Sequence, residues 1–229
     1  MGGVDIVEDI YELGRFFPYG TSDETLNHYI EHHLLSATSC VENELYSSAY
    51  AHLHLLYMAF IYIQLLRIAR EKEQEFEYGW IGFPSQEKDF LKDPTSPFSF
   101  SKVNEKSVFR FFRLVGFDDS DINNLSGLVT TRNTRMHASG NIHCANLEEF
   151  ERELTTYIAR MQLVIKKQYG FLSGIYKGLL ETYDDEYEFT QDDLESNYHD
   201  QYLFSEYELR DIARGQTDKV STFINKQYS

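Results

Sequence analysis

Cysteine is scarce in this chain. Its two residues, Cys40 and Cys144, lie far apart and neither belongs to a CxxC pair. That argues against a disulfide framework and a cysteine-based zinc site, and fits a reducing compartment. Long apolar runs are also missing. The longest, Leu55 to Leu66, is shorter than the roughly 20 residues that span a bilayer, so it reads as a buried core helix and no membrane partner is expected. Gly-rich phosphate loops are absent, with neither a Walker sequence nor GxGxxG. No Glu-x-x-His occurs, which disfavours a di-iron bundle. The start, MGGVDIVEDIYELG, has acidic residues where a secretion signal has basic ones, and Ile6 stands where myristoylation needs Ser or Thr. A cytoplasmic location is therefore expected. Positive charge is low as well: 21 Lys and Arg against 37 Asp and Glu give a net charge of −16.

What is abundant is apolar and aromatic surface. Hydrophobic residues make up 42%, with 17 Tyr and 17 Phe. That is enough for a sizeable core, in one large domain or in one core domain with appendages. Apolar residues recur at helical spacing, which predicts an all-α fold. A short helix is expected over Val4–Phe16. A Thr21/Glu24 capping box opens the next, through about Ala37, with Leu26, Tyr29, Ile30, Leu34 and Ala37 on its apolar face. A long helix from about Val41 to Phe76 is apolar nearly all round between Leu53 and Ala69, so it belongs at the centre of a bundle. Tyr78–Val103 holds three of the four prolines and the only Trp, and reads as an irregular insertion with one helical turn near Gln86–Leu91.

Helix resumes at Asn104, a good N-cap, and ends before Gly116, with Val108, Phe111, Phe112 and Val115 as its buried stripe. Asp118 to Ser120 cap a helix carrying Ile122, Leu125, Val129 and Met136, which Ser139 and Gly140 end. Asn146 with Glu149 opens another long helix, with Phe150, Leu154, Ile158, Met161 and Ile165 on one face. Beyond Gly170 a separate short helix over Phe171–Leu180 is expected, then an acidic, Tyr-rich stretch in which Glu186–Thr190 could be extended. Ser205 with Glu208 caps a last short helix before Gly215. The predicted organisation is thus an N-terminal segment (1–21), a helical bundle (22–168) with the insertion at 78–103, and an acidic C-terminal extension (169–229).

Charge is unevenly spread. Residues 1–101 carry 6 basic and 16 acidic residues, net −10; residues 102–167 carry 10 and 8, net +2; residues 181–211 carry 1 and 12, net −11. The middle is the only sizeable region that can face phosphates without strong repulsion. It contains the string Arg132-Asn133-Thr134-Arg135-Met136-His137. An Arg followed by Asn, with His five positions after the Arg, resembles the RxxxxH signature of the HEPN superfamily. So does its setting, near the end of a helix that follows a long core helix in an all-α chain. The resemblance covers about residues 22–168.

It implies a metal-independent endoribonuclease that leaves 2′,3′-cyclic phosphate ends, of the kind found in prokaryotic defence and toxin–antitoxin pairs. Arg132, Asn133 and His137 would be catalytic, and Arg135 an RNA contact. The chemistry is coherent: His titrates near neutrality and moves protons, Arg presents fixed donors to phosphate oxygens, and Asn133 can hold either the imidazole or a phosphate oxygen. Positions 132 and 137 lie about 140° apart on an ideal helix, so one helix does not align them unaided. The resemblance implies a homodimer that pairs two motif helices, with RNA and an antitoxin or other protein as partners. No metal or cofactor is expected. The alternative is a non-catalytic HEPN-like module that binds RNA or a protein.

Other constellations compete. His28-Tyr29-Ile30-Glu31-His32 matches the zinc-peptidase pattern HxxEH, but the polar face of an amphipathic helix is the better reading, since no third ligand is identifiable and His33 is expected to point elsewhere. His54, between Leu53 and Leu55, reads as a hydrogen-bonded core histidine. The acidic segment 181–211 is either a solvated face or a cover for a basic surface such as that around Arg132.

Overall fold

The structure, a computed structural model, describes residues 3–18, 21–136, 143–181 and 200–214. These are mostly helical and contain no strand, in agreement with the all-α expectation. Helix α1 (Gly3–Glu12) runs into a 3₁₀ turn at Leu13–Phe16. Helix α2 spans Glu24–Glu42. Its cap is Asp23, whose carboxylate accepts from Leu26 N at 2.9 Å. Thr21, the expected cap, is instead bonded to Asn27, whose Nδ2 donates to the Thr21 carbonyl at 2.6 Å.

The chain reverses at Asn43–Leu45, where Glu44 has φ 60°, so the long helix begins later than the sequence suggests. Helix α3 (Tyr46–Glu71) forms a hairpin with α2. Every side chain from Leu56 to Ala69 is buried, which is the only stable place for a helix apolar on all sides. By length and composition α3 could cross a membrane, but most of its apolar window is covered by the rest of the bundle.

The Pro-containing stretch is an ordered wrap. Helix α4 (Glu73–Gly79), a 3₁₀ turn at Trp80–Gly82, helix α5 (Ser85–Leu91) and a 3₁₀ turn at Pro97–Lys102 follow one another. Aromatic side chains hold it down: Phe76 stacks on Phe111 at 4.1 Å between ring centres, and Phe83 on the same ring at 5.4 Å. Gly79 is needed for this approach, because a Cβ there would stand 2.7 Å from Phe111 Cε1.

Helix α6 (Glu105–Val108), capped by Asn104, continues as 3₁₀ through Val115 and stops at Gly116, whose φ of 91° suits glycine. Helix α7 spans Asp119–Arg135 and buries Ile122, Leu125, Leu128 and Val129. Met136 closes it with 52% exposure rather than joining the buried stripe. Ser139 and Gly140 lie outside the described residues.

Helix α8 runs unbroken over Leu147–Glu181. The sequence suggests a stop at Gly170. Each helical glycine costs about 1 kcal/mol relative to Ala, but Leu172, Ile175 and Tyr176 beyond it are buried, and the Tyr176 ring meets Phe204 at 5.8 Å. Tertiary burial carries the helix through.

Residues 182–199, including the possible extended stretch 186–190, are outside the described set. The chain re-enters at a helical turn, Asp200–Tyr202, and ends in helix α9 (Glu206–Arg214). Ser205 and Glu208 cap α9 as the sequence predicts: Glu208 Oε2 accepts from Ser205 N at 2.8 Å and Ser205 Oγ at 2.9 Å. Glu208 also reaches Arg67 on α3. Both side chains are buried, at 0% and 1% exposure, with Nη1 2.5 Å from Oε1 and Nη2 2.8 Å from Oε2. Gln64 and the carbonyls of Tyr202 and Leu203 satisfy the remaining donors and acceptors. This part of the acidic segment is therefore core, not a solvated face.

Candidate functional site

Helix α7 is anchored at its start and carries the motif at its end. Asp118 and Asp121 cap each other reciprocally, and Lys167 of α8 bonds Asp121. Midway, Tyr57 Oη donates to the Leu125 carbonyl at 3.2 Å. With its apolar face turned inward, the last turn presents Arg132, Asn133 and Arg135, each neither fully buried nor fully exposed. His137 lies outside the described residues.

Arg132 Nη2 donates to Glu105 Oε2. Glu105 is the first residue of α6, set in place by the Asn104 cap, whose Oδ1 accepts from Lys106 N at 3.0 Å. The pair is half-buried, with side-chain exposures of 27% for Arg132 and 31% for Glu105. Behind Glu105 stands His54 of α3, its Nε2 3.9 Å from the same carboxylate oxygen and its side chain 2% exposed. His54 Nδ1 lies 2.9 Å from Tyr157 Oη of α8, and Tyr157 Oη donates onward to Tyr50 Oη at 3.5 Å. The Tyr50 ring in turn underlies the Arg135 guanidinium at 5.3 Å. Arg135 Nη1 also faces Glu153 Oε1 at 2.7 Å. A polar thread thus runs under the end of α7 from one motif arginine to the other, through residues of α3, α6 and α8.

Among the described residues, three atoms in this thread are buried without a hydrogen-bond partner: His54 Nε2, Arg132 Nε and Arg135 Nη1, the last in ionic contact alone with Glu153. Burial lowers the pKa of His54, and nearby Arg132 adds to that while Glu105 opposes it, so the imidazole is neutral near pH 7. Glu105 is held below the usual carboxylate range by His54 and by Arg132, against the opposing effect of burial. It is therefore an anion throughout the neutral range. Burial raises the Cys144 thiol to about 11, and Glu153 adds to this, so it is protonated near pH 7.

The sequence singles out Arg132, Asn133, Arg135 and His137, and the structure brings the first three to one helix end. It does not signal Glu105, His54 or Tyr157. A lone imidazole amid leucines was the one hint, since a core histidine needs a polar partner.

The second histidine group is resolved differently from the HxxEH reading. His28 and His32 are exposed, with rings 6.2 Å apart. His33, expected to point elsewhere, is buried and faces His52 of α3, with 2.9 Å between the two Nδ1 atoms and 5.1 Å between ring centres. Those lengths put the two nitrogens close to the line joining the rings, which is hydrogen-bond geometry and leaves no room for a metal between them. Among the described residues, no group of three His, Cys, Asp or Glu is placed to hold a metal ion.

Comparison with protein-family models, with curated proteins and with solved structures finds no match to this chain.

Proposed function

We propose that this chain is a HEPN-like, metal-independent endoribonuclease in which Arg132, Asn133 and His137 act on the scissile phosphate and Arg135 contacts RNA. The observation that carries the reading is the end of α7. Arg132, already singled out by its spacing to His137, sits half-exposed over a buried polar thread that fixes it from below. A partly exposed guanidinium at a helix end has the fixed donors that match phosphate oxygens. His137, five residues on, would move protons. A homodimer that faces two α7 ends would bring Arg132 of one copy to His137 of the other and join two net-positive middle segments. A role in prokaryotic defence or in a toxin–antitoxin pair belongs to the same proposal.

One observation favours the second reading, a non-catalytic helical module: each motif arginine is matched by a carboxylate of its own chain, Glu105 for Arg132 and Glu153 for Arg135. Cleavage of single-stranded RNA in EDTA separates the two. The enzyme cuts under these conditions, leaves a 2′,3′-cyclic phosphate, and loses the activity in His137→Ala. Undiminished cleavage by purified His137→Ala overturns the assignment, and no cleavage by the wild-type chain favours the module.

A further inference from the structure

We propose that Glu105 occupies the phosphate seat of Arg132, so that RNA must displace an internal carboxylate to engage the site. The inference rests on the RNA-binding reading of Arg132 and adds its regulation. Glu105 Oε2 takes a hydrogen bond from Arg132 Nη2, as a phosphate oxygen would. Among the described residues it has no other charged or titratable ion-pair partner besides the His54 imidazole behind it. That imidazole is 98% removed from solvent and its Nε2 has no bonded partner at 3.9 Å from the carboxylate. At that distance it does not tie the carboxylate down. The carboxylate is thus seated but not locked.

The contrast with the other buried glutamate is informative. Glu208 has both oxygens bonded by Arg67, Gln64 and Ser205. Glu105 is a third exposed and can swing outward about its own side-chain torsions without opening the core. Carboxylate and phosphate compete for the same donors, so the seat is available to RNA only at the expense of this ion pair. Shielding of Arg132 is then a property of α6, and does not require the acidic residues of the C-terminal extension.

The test is a double-mutant cycle on RNA binding. A short 2′-O-methyl oligoribonucleotide, which lacks the nucleophile for cleavage, is titrated into wild type, Glu105→Gln, Arg132→Ala and the double variant at fixed salt. Glu105→Gln should tighten binding about two- to fivefold, the scale of one partly exposed charge pair. In the Arg132→Ala background the same change should have less than half that effect in logarithmic terms, which separates local competition from a general loss of negative charge. Should Glu105→Gln fold poorly by circular dichroism, Glu105→Ala replaces it. Unchanged or weaker binding on loss of the carboxylate overturns the inference, as does equal tightening with and without Arg132. If Arg132→Ala weakens binding while Glu105→Gln leaves it unaltered, only the competition is wrong. If neither wild type nor Glu105→Gln binds the oligonucleotide, the RNA reading fails with it.

Discussion

Two of the arginine–glutamate pairs that tie elements of this bundle together differ in everything but their chemistry. Arg67 and Glu208 are fully buried, and their donors and acceptors are met by Gln64, Ser205 and two main-chain carbonyls. Arg132 and Glu105 are about a third exposed, share one hydrogen bond and adjoin two unpartnered nitrogens. A buried pair with every atom satisfied fixes architecture. A half-exposed pair with atoms unsatisfied has bonding capacity to offer a ligand. The same two residue types therefore make a clamp in one setting and, in the function proposed above, a binding site in the other, and the surroundings decide which.

Removing one partner of the clamp should have the largest effect. Glu208→Ala leaves the Arg67 charge buried alone and should lower stability by about 3 to 5 kcal/mol in urea denaturation. It should also loosen residues 200–214, visible as faster amide exchange there. A loss under 1 kcal/mol would mean that the clamp is not what holds this segment.

The histidines between α2 and α3 set a second, pH-dependent effect. Burial lowers the pKa of His33 to about 4, helped by His52 and His32, against about 6.5 for a free imidazole. His52 is lowered too, by burial and by His32. The unfolded chain then binds protons first, so stability is full above pH of about 6.5 and declines as pH falls toward 4. For His33 the decline amounts to at most about 3 kcal/mol. Urea midpoints measured at pH 7 and near pH 4.5 should converge in His33→Gln relative to wild type. Parallel shifts in both proteins would show that His33 does not titrate as its burial demands.

The smallest effect on stability belongs to the site. Glu105→Gln should cost less than about 1 kcal/mol, as befits a partly exposed pair. A loss as large as that of Glu208→Ala would make Glu105 a second clamp and remove the distinction.

The architecture was largely legible in the sequence. An apolar helix with no polar face has only one place in a soluble bundle, and α3 occupies it. Asn104 and the Ser205/Glu208 pair cap the helices their spacing predicts. Local rules failed where burial outweighed them. Gly170 does not stop α8, because the residues after it pack on Phe204 and its neighbours. Asp23 displaces Thr21 as the α2 cap because Thr21 is engaged with Asn27. Of the site, the arginines were legible from their spacing to His137. Their counterions were not, since Glu105 lies 27 residues from Arg132, and only tertiary packing brings the two together.

In the proposed function Arg132 serves chemistry while Arg67 serves the fold. This division is tested most directly by comparing RNA cleavage in EDTA by Arg132→Ala with its urea stability. Cleavage should fall by about a hundredfold or more, the scale of one lost transition-state donor, while stability changes by less than about 1 kcal/mol. Cleavage at the wild-type rate by a folded Arg132→Ala protein would contradict it.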